Sequence, residues 1–404
     1  MSLDHPKAKP PGHNRPRSIA ALGDVMNPNC FGGAPRQFFD EAHRQGFAQH
    51  GWSVNIRKLR RSRMIWNAAQ LLRGRRPGGF QFSSAGQAAA LAQIPHHLWE
   101  TEVISFHQHF PPPDPIIRAG GELNFYFDAT YAQLFPSYGL DRSIDHRTLR
   151  EAIDHERKAF SAARRVIVNQ FWAYRSLLSD YGLDHRKCAV ILPAANYPVF
   201  PGLCPLMPEG RAGRDRPFVL GFIGKDWKRK GLMFLNQVAV GLRARGWKVT
   251  VRAMGFPGDE LPSGSGIECL GFIDKRIHFG PFLHSCDVGC LFSSAEAAGT
   301  AVLEFLGVGV PVAGFTVNGL ADLLPAEAGF RFAAGIQPAE VADVFHGYLQ
   351  DEDRQERFRS AAQRLAPSLL WERCLREFRE FWETGTLSNP FRLYTSPDAK
   401  SQRP

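Results

Sequence analysis

The sequence predicts an α/β protein made of two doubly wound, parallel-sheet domains. Short apolar runs of strand length alternate with helical patterns along most of the chain, the mark of βαβ units. The alternation occurs twice, interrupted by a stretch holding Pro198, Pro201, Pro205 and Pro208. The chain's 404 residues, 44% hydrophobic and 22% charged, suffice for two or three domains and match the globular average, excluding wholesale disorder and fibrous repeats.

The elements follow in order. Residues 1–17, rich in Pro, Lys and Arg, are expected to be a disordered basic tail. Residues 18–23 read as a buried strand, and 35–49 as a helix with Pro35 in its first turn. Strands are expected at 52–56, 102–106, 123–127, 165–168 and 188–192. Helices are expected at 63–73, 85–93, 145–163 and 171–181, the last ended by Gly182. After a linker at 201–216, strands are expected at 218–223, 249–253, 267–270, 288–292 and 310–314. Helices are expected at 232–245, 277–285, 300–308, 352–366 and 370–382. The predicted domains are therefore 18–200 and 217–365, followed by a closing helix within 366–385 and a loose tail at 386–404.

The net charge of +10 is unevenly placed. Residues 1–80 hold 14 Lys/Arg and four acids, and residues 81–404 hold 35 of each. Seven scattered cysteines make neither a disulfide scaffold nor a zinc pattern, and suit a reducing compartment. No apolar run is long enough to span a bilayer and the first residues lack a signal-peptide core, so a cytoplasmic protein is expected, with any membrane contact peripheral, at the inner face.

In the second half, the expected strand 218–223 ends at Gly224 and leads through Lys225, Asp226, Trp227, Lys228, Arg229 and Lys230 to Gly231. Ligands of open α/β sheets bind beyond the carboxyl ends of strands. Four cations in six residues there suit a diphosphate, while Gly224 lets the backbone come close. A solvated βα loop is the alternative. Further on, strand 288–292 delivers Glu296, Ala298 and Gly299 to a helix start at Thr300, with Glu304 on that helix, eight residues after Glu296. Glu304 sits in an apolar helix and needs a partner: a ribose diol would serve, as would an internal salt bridge.

These residues resemble the donor-binding half of the family-4 retaining glycosyltransferases (glycosyl transferases group 1). The resemblance rests on the Lys225–Gly231 loop, the Glu296/Glu304 pair, Gly307-Val308-Gly309-Val310-Pro311 and Asn318-Gly319. The first half is similar too, through Gly32-Gly33-Ala34-Pro35, Asp128-Ala129-Thr130 and the stretch from Glu156 to Asn196. The resemblance implies the GT-B fold, two Rossmann-like domains facing a cleft: an acceptor-side domain first and a donor-binding domain second, with the closing helix crossing back to the first.

It further implies transfer of a sugar, with retention, from a nucleotide-diphosphate donor (UDP-, GDP- or ADP-linked) to a glycan, lipid-linked or other acceptor. Lys225, Arg229 and Lys230 match positions that hold the diphosphate; Glu296 matches the acid on the sugar hydroxyls and Glu304 the one on ribose. The amides of Ala298, Gly299 and Thr300 would face the sugar and diphosphate, and Gly32 and Gly33 would close over the phosphates. No cofactor and no metal are implied, because cations take the metal's role. Two departures, Ala297-Ala298-Gly299 and Gly307-Val308-Gly309, leave sugar and base open. The expected partners are the nucleotide sugar and acceptor, with the chain a monomer or weak dimer. A non-catalytic GT-B-like binding protein, an epimerase or a phosphorylase are the alternatives.

His107 and His109 follow strand 102–106 at its carboxyl end, where the family often carries a sugar-contacting histidine; His107 is favoured, and a loop histidine bonded to backbone is the alternative. Asp128 ends the next strand and either binds acceptor or sugar, or caps the following turn.

The densest positive charge is Arg57, Lys58, Arg60, Arg61 and Arg63, followed by Met64, Ile65 and Trp66. A basic helix with an apolar face and a Trp reads as a membrane-surface element aimed at anionic lipid. The alternative is a solvated helix packing its apolar face on its own domain. Nucleic-acid binding is not expected, since no recognition motif accompanies the charge.

Overall fold

The computed structural model describes residues 15–196, 212–274 and 277–393. Residues 1–14 of the expected tail at 1–17, residues 197–211, which take in most of the expected linker at 201–216, and residues 394–404 of the expected loose end at 386–404 lie outside the described residues. The described parts of both tails are ordered against those expectations: Arg17 opens the first strand and bonds Glu102 at 2.7 Å, and at the other end Arg392 donates to the Val190 carbonyl at 3.0 Å and Leu393 is buried.

The first sheet has six parallel strands in the order β2-β1-β3-β4-β5-β6: β1 Arg17–Ala20, β2 His50–Gly51, β3 Glu102–Ser105, β4 Glu122–Phe127, β5 Arg165–Val168 and β6 Cys188–Val190. The second has the order β12-β11-β10-β7-β8-β9: β7 Phe218–Ile223, β8 Val249–Met254, β9 Ile267–Cys269, β10 Val288–Leu291, β11 Val312–Phe315 and β12 Gly329–Phe332. Both are doubly wound α/β sheets covered on both faces, which is why their strands read as continuous apolar runs. Phe125 of β4 enters one core with Phe160 and Leu177, while the next residue, Tyr126, enters the opposite core with Phe38 and Phe378.

Strand order reverses between β1 and β3 and between β7 and β10. Helix Ala34–Arg44 after β1 packs on one face of its sheet, and helix Pro113–Arg118 after β3 on the other. Likewise helix Leu232–Ala244 and helix Thr300–Leu306 take opposite faces of the second sheet. Each divergence opens a crevice at the strand carboxyl ends. Phe305 lies flat on the second sheet because β10 offers Gly289; a Cβ there would come within 2.1 Å of the Phe305 ring. That close approach fixes the helix bearing Glu304.

The closing helix, Trp371–Thr384, packs on the first sheet. Its Phe378 ring lies 4.8 Å from Phe38 and 4.7 Å from Tyr126, and Arg165 donates to the Trp382 carbonyl at 2.7 Å.

The structure corrects several expectations. Only His50–Gly51 pairs with β1 where a strand at 52–56 was expected. Trp52 and Val54 are buried and Ser53 and Asn55 exposed, so the alternation is real, but past Gly51 the backbone bonds the end of β1 and the loop after it, Trp52 donating to the Ile19 carbonyl at 2.8 Å and Val54 to that of Gly23 at 3.0 Å. Helices Pro113–Arg118, Tyr131–Ser137 and Pro338–Gln350 and strand β12 were not anticipated. Pro136 lies inside the second of these helices, which hides it from a pattern that treats proline as a stop. No described helix is long and apolar enough to cross a membrane.

Candidate active site

The crevice of the second sheet is lined by the loop after β7 and the loop after β10. Lys230 Nζ lies 2.8 Å from Glu296 Oε2, and Arg229 Nη1 lies 3.6 Å from the same oxygen. Lys230 reaches there by running across Gly224, where a Cβ would sit 2.2 Å from its Cδ. Arg229 also donates to the Ala295 carbonyl, and Asp226 holds its Nε at 3.1 Å. Glu296 is buried and takes further bonds from the Gly299 amide at 3.2 Å and Ser293 Oγ at 3.3 Å. Burial works against its charge, but Lys230, Arg229 and the Gly299 amide outweigh it and hold the carboxyl below its ordinary range.

The sequence-derived set is thus brought together in part. Arg229, Lys230 and Glu296 form one cluster. Lys225 is exposed and makes no ion pair among the described residues. Gly299, left-handed at φ 56°, starts the helix, but its amide is already committed to Glu296, so it does not face the cleft free as expected. Thr300 and Glu304 follow on the helix, and Glu304 is buried. Ala298 gives its carbonyl to Gln170 Nε2 at 3.4 Å.

The first domain closes over this loop. Gly32 faces Thr300, whose Oγ1 would lie 3.9 Å from an added Cβ, and its carbonyl accepts from Asn196 at 3.3 Å; Gly33 follows it in the same turn. Phe31 beside it sits 6.0 Å from the His107 ring. His107 is buried with its Nδ1 unpartnered among the described residues, and burial pushes its pKa down to about 4. His109 lies 5.0 Å away and is tied through Nδ1 to the Tyr131 hydroxyl, which leaves His107 the freer of the two. Asp128 is half-buried, and burial together with Glu296 opposite pushes its pKa up to about 6.

Two contributors were not placed in the site from the sequence: Tyr138, and Asn318, which entered only as part of the resemblance. Tyr138 reaches from the first domain to accept from the Ala297 amide at 3.0 Å, and Arg229 lies 4.9 Å over its ring. Asn318, left-handed at φ 46°, accepts from the Glu296 amide at 3.2 Å and donates to Ser137 at 3.2 Å. The Asn318-Gly319 dipeptide was a signal for that turn. Tyr138 carried no local signal.

The basic segment forms helix Arg60–Leu72, with Arg57 and Lys58 in the 3₁₀ turn before it. Trp66 is not part of the exposed face: it is half-buried, 6.0 Å from Phe80 of its own domain.

Comparison with known proteins fits this geometry. Residues 217–372 match the family of glycosyl transferases group 1. That segment holds both loops of the second crevice. A similar curated protein is the D-inositol 3-phosphate glycosyltransferase of Salinispora tropica, 24% identical over 271 residues, covering 59% of this chain and 54% of the relative. The chain spans about half the length of the curated relatives it matches. Among solved structures, Anabaena HepE, crystallised with UDP and glucose, superposes with a TM-score of 0.62 at 18% identity, covering 92% of this chain and 100% of HepE. Sucrose-phosphate synthase of Thermosynechococcus elongatus gives 0.64 at 14% identity, covering 92% and 98%. The fold is GT-B, two α/β domains facing a cleft, and its second domain carries the glycosyl transferases group 1 segment.

Proposed function

We propose that the protein is a glycosyltransferase that moves a sugar from a nucleotide-diphosphate donor to a glycan, lipid-linked or other hydroxyl acceptor, with retention of anomeric configuration. The observation that carries the proposal is the buried Glu296–Lys230–Arg229 cluster at the mouth of the second crevice. Two cations held there meet the charge that develops on a leaving diphosphate, and such preorganised electrostatics is the main source of catalysis in sites of this kind. Their pairing with Glu296 keeps them in place beforehand. When the diphosphate takes the cations, Glu296 is released to accept from the sugar's hydroxyls.

Glu304 binds the ribose in this reading. His107, neutral and with its Nδ1 unpartnered among the described residues, offers a hydrogen bond to the sugar from the opposite wall. Asp128 serves the acceptor side. The charge is met by Arg229 and Lys230, so the proposal calls for neither metal nor cofactor. Closure of the cleft over the donor aligns the reactants and excludes water.

The test is nucleotide release and binding across UDP-, GDP- and ADP-sugars, with Glu296→Ala as the control. One donor class should bind and turn over, and the variant should lose turnover by roughly a hundredfold or more. If no donor binds, a non-catalytic protein replaces this reading. Intact turnover in Glu296→Ala removes the site assignment.

A further inference from the structure

Helix Arg60–Leu72 turns its apolar stripe outward. Met64, Ile65, Ala68, Leu71 and Leu72 fall at the spacing of one helical face, and all are exposed, Ile65 by 71% and Leu72 by 90%. Its inward side is made instead by Trp66, Asn67, Ala69 and Gln70. Ile56, just before the helix, is also exposed. A surface helix normally buries its apolar stripe, and the cost of wetting this one is recovered only against an apolar partner.

The charge says which partner. Arg57, Lys58, Arg60, Arg61, Arg63 and Arg73 border the stripe, and none has an ion-pair partner among the described residues. Between Glu41 and Glu100 the sequence contains no acid at all. By contrast Arg75 and Arg76 are held by the domain, through Glu151 and the Arg142 carbonyl. We infer that this face docks on an anionic lipid bilayer, with the apolar side chains entering the headgroup boundary and the cations meeting lipid phosphates. A second copy of the chain would bring like charges together, and a nucleic acid would leave the apolar stripe wet.

The placement suits a cleft that receives its acceptor from that surface. Ile56 lies beside the loop after β1: a Cβ on Gly23 would sit 3.9 Å from Ile56 Cδ1 and 2.7 Å from Cys30 Sγ, and Cys30 leads into Gly32 and Gly33. The basic face and the first-domain wall of the cleft therefore share one end of the sheet. The bilayer inference rests on the surface itself and stands apart from the donor chemistry.

The experiment is co-sedimentation of the full chain with vesicles of phosphatidylcholine alone and of phosphatidylcholine mixed with phosphatidylglycerol. Binding should require phosphatidylglycerol and weaken in high salt. Arg60→Gln, Arg61→Gln and Arg63→Gln together should weaken it about 10²-fold, at about fivefold per cation. Ile65→Ser with Leu72→Ser should weaken it about tenfold or more, with the circular-dichroism melt and donor binding unchanged, since both side chains face solvent. Equal binding to both vesicles, no binding to either, or insensitivity to the serine pair overturns the inference. So does a dimer that the serine pair dissolves, or RNA binding that persists in it while vesicles fail.

Discussion

Glu156 and Glu296 are both buried carboxyls, one in each domain, and they are opposite in character. Glu296 is surrounded by Lys230 and Arg229 and held ionised. Glu156 accepts from the Tyr131 amide at 3.0 Å and from the Tyr181 hydroxyl, neutral donors both, and burial pushes its pKa up to about 8. Burial by itself therefore does not mark a functional acid. The first glutamate is a neutral acid that ties helix His146–Ala162 to the start of helix Tyr131–Ser137. The second is a charge kept in place by countercharge at a cleft.

The largest effect should come from breaking the charged pair. Lys230→Met leaves Glu296 with Arg229 at 3.6 Å as its nearest cation. Stripping a partner from a buried charge is costly, and with Arg229, Ser293 and the Gly299 amide still in place the loss should be about 2–3 kcal/mol by denaturant unfolding. Donor turnover should fall by on the order of 10²-fold or more. Glu296→Gln keeps the shape and should be as damaging to turnover yet milder on stability. Equal stability losses in the two variants would show that the pair is not a buried charge pair.

The second effect is a pH dependence of opposite sign at the two acids. In the unfolded chain Glu156 loses its proton near the ordinary 4.5, and in the folded protein only near 8. Between those values folding takes up a proton, so this glutamate's contribution falls as pH rises through the window and is flat above it. Glu296 has a depressed pKa, so its contribution is complete above the unfolded value and is lost as pH falls through the folded one. Glu156→Gln should therefore remove a slope of up to about 1.4 kcal/mol per pH unit from the stability profile between about pH 5 and 8. A profile parallel to wild type would mean that Glu156 is ionised in the fold.

What the sequence made legible follows from what is local. The strands at 165–168 and 218–223 were read at their true bounds because fully buried parallel strands need unbroken apolar runs. Arg229, Lys230 and Glu296 were legible because both loops follow such strands, where open sheets place ligands. Tyr138 was not, because it meets Ala297 across 159 residues and between two domains. Glu156 was noticed only as part of a stretch, since its neutrality depends on Tyr131 and Tyr181 and not on its own neighbours in sequence. The basic helix gave its composition but not its orientation: the pattern showed an apolar stripe, and only the packing of Trp66 on Phe80 shows that the stripe faces out.

The smallest effect separates the partners of Glu156. Tyr181→Phe removes one donor to the carboxyl and the hydroxyl that accepts from the Ala132 amide at 3.3 Å. That hydroxyl favours the ionised acid, so its loss should move the Glu156 transition further above 8 and extend the falling limb of stability to higher pH. At pH 7 Glu156 is already protonated, and the cost should be only about 1 kcal/mol by urea unfolding. In a Glu156→Gln background the shift of the limb must vanish while most of that cost remains. A Tyr181→Phe variant that instead loses several kcal/mol at pH 7, as Lys230→Met should, would place Glu156 among the charged acids and erase the contrast with Glu296.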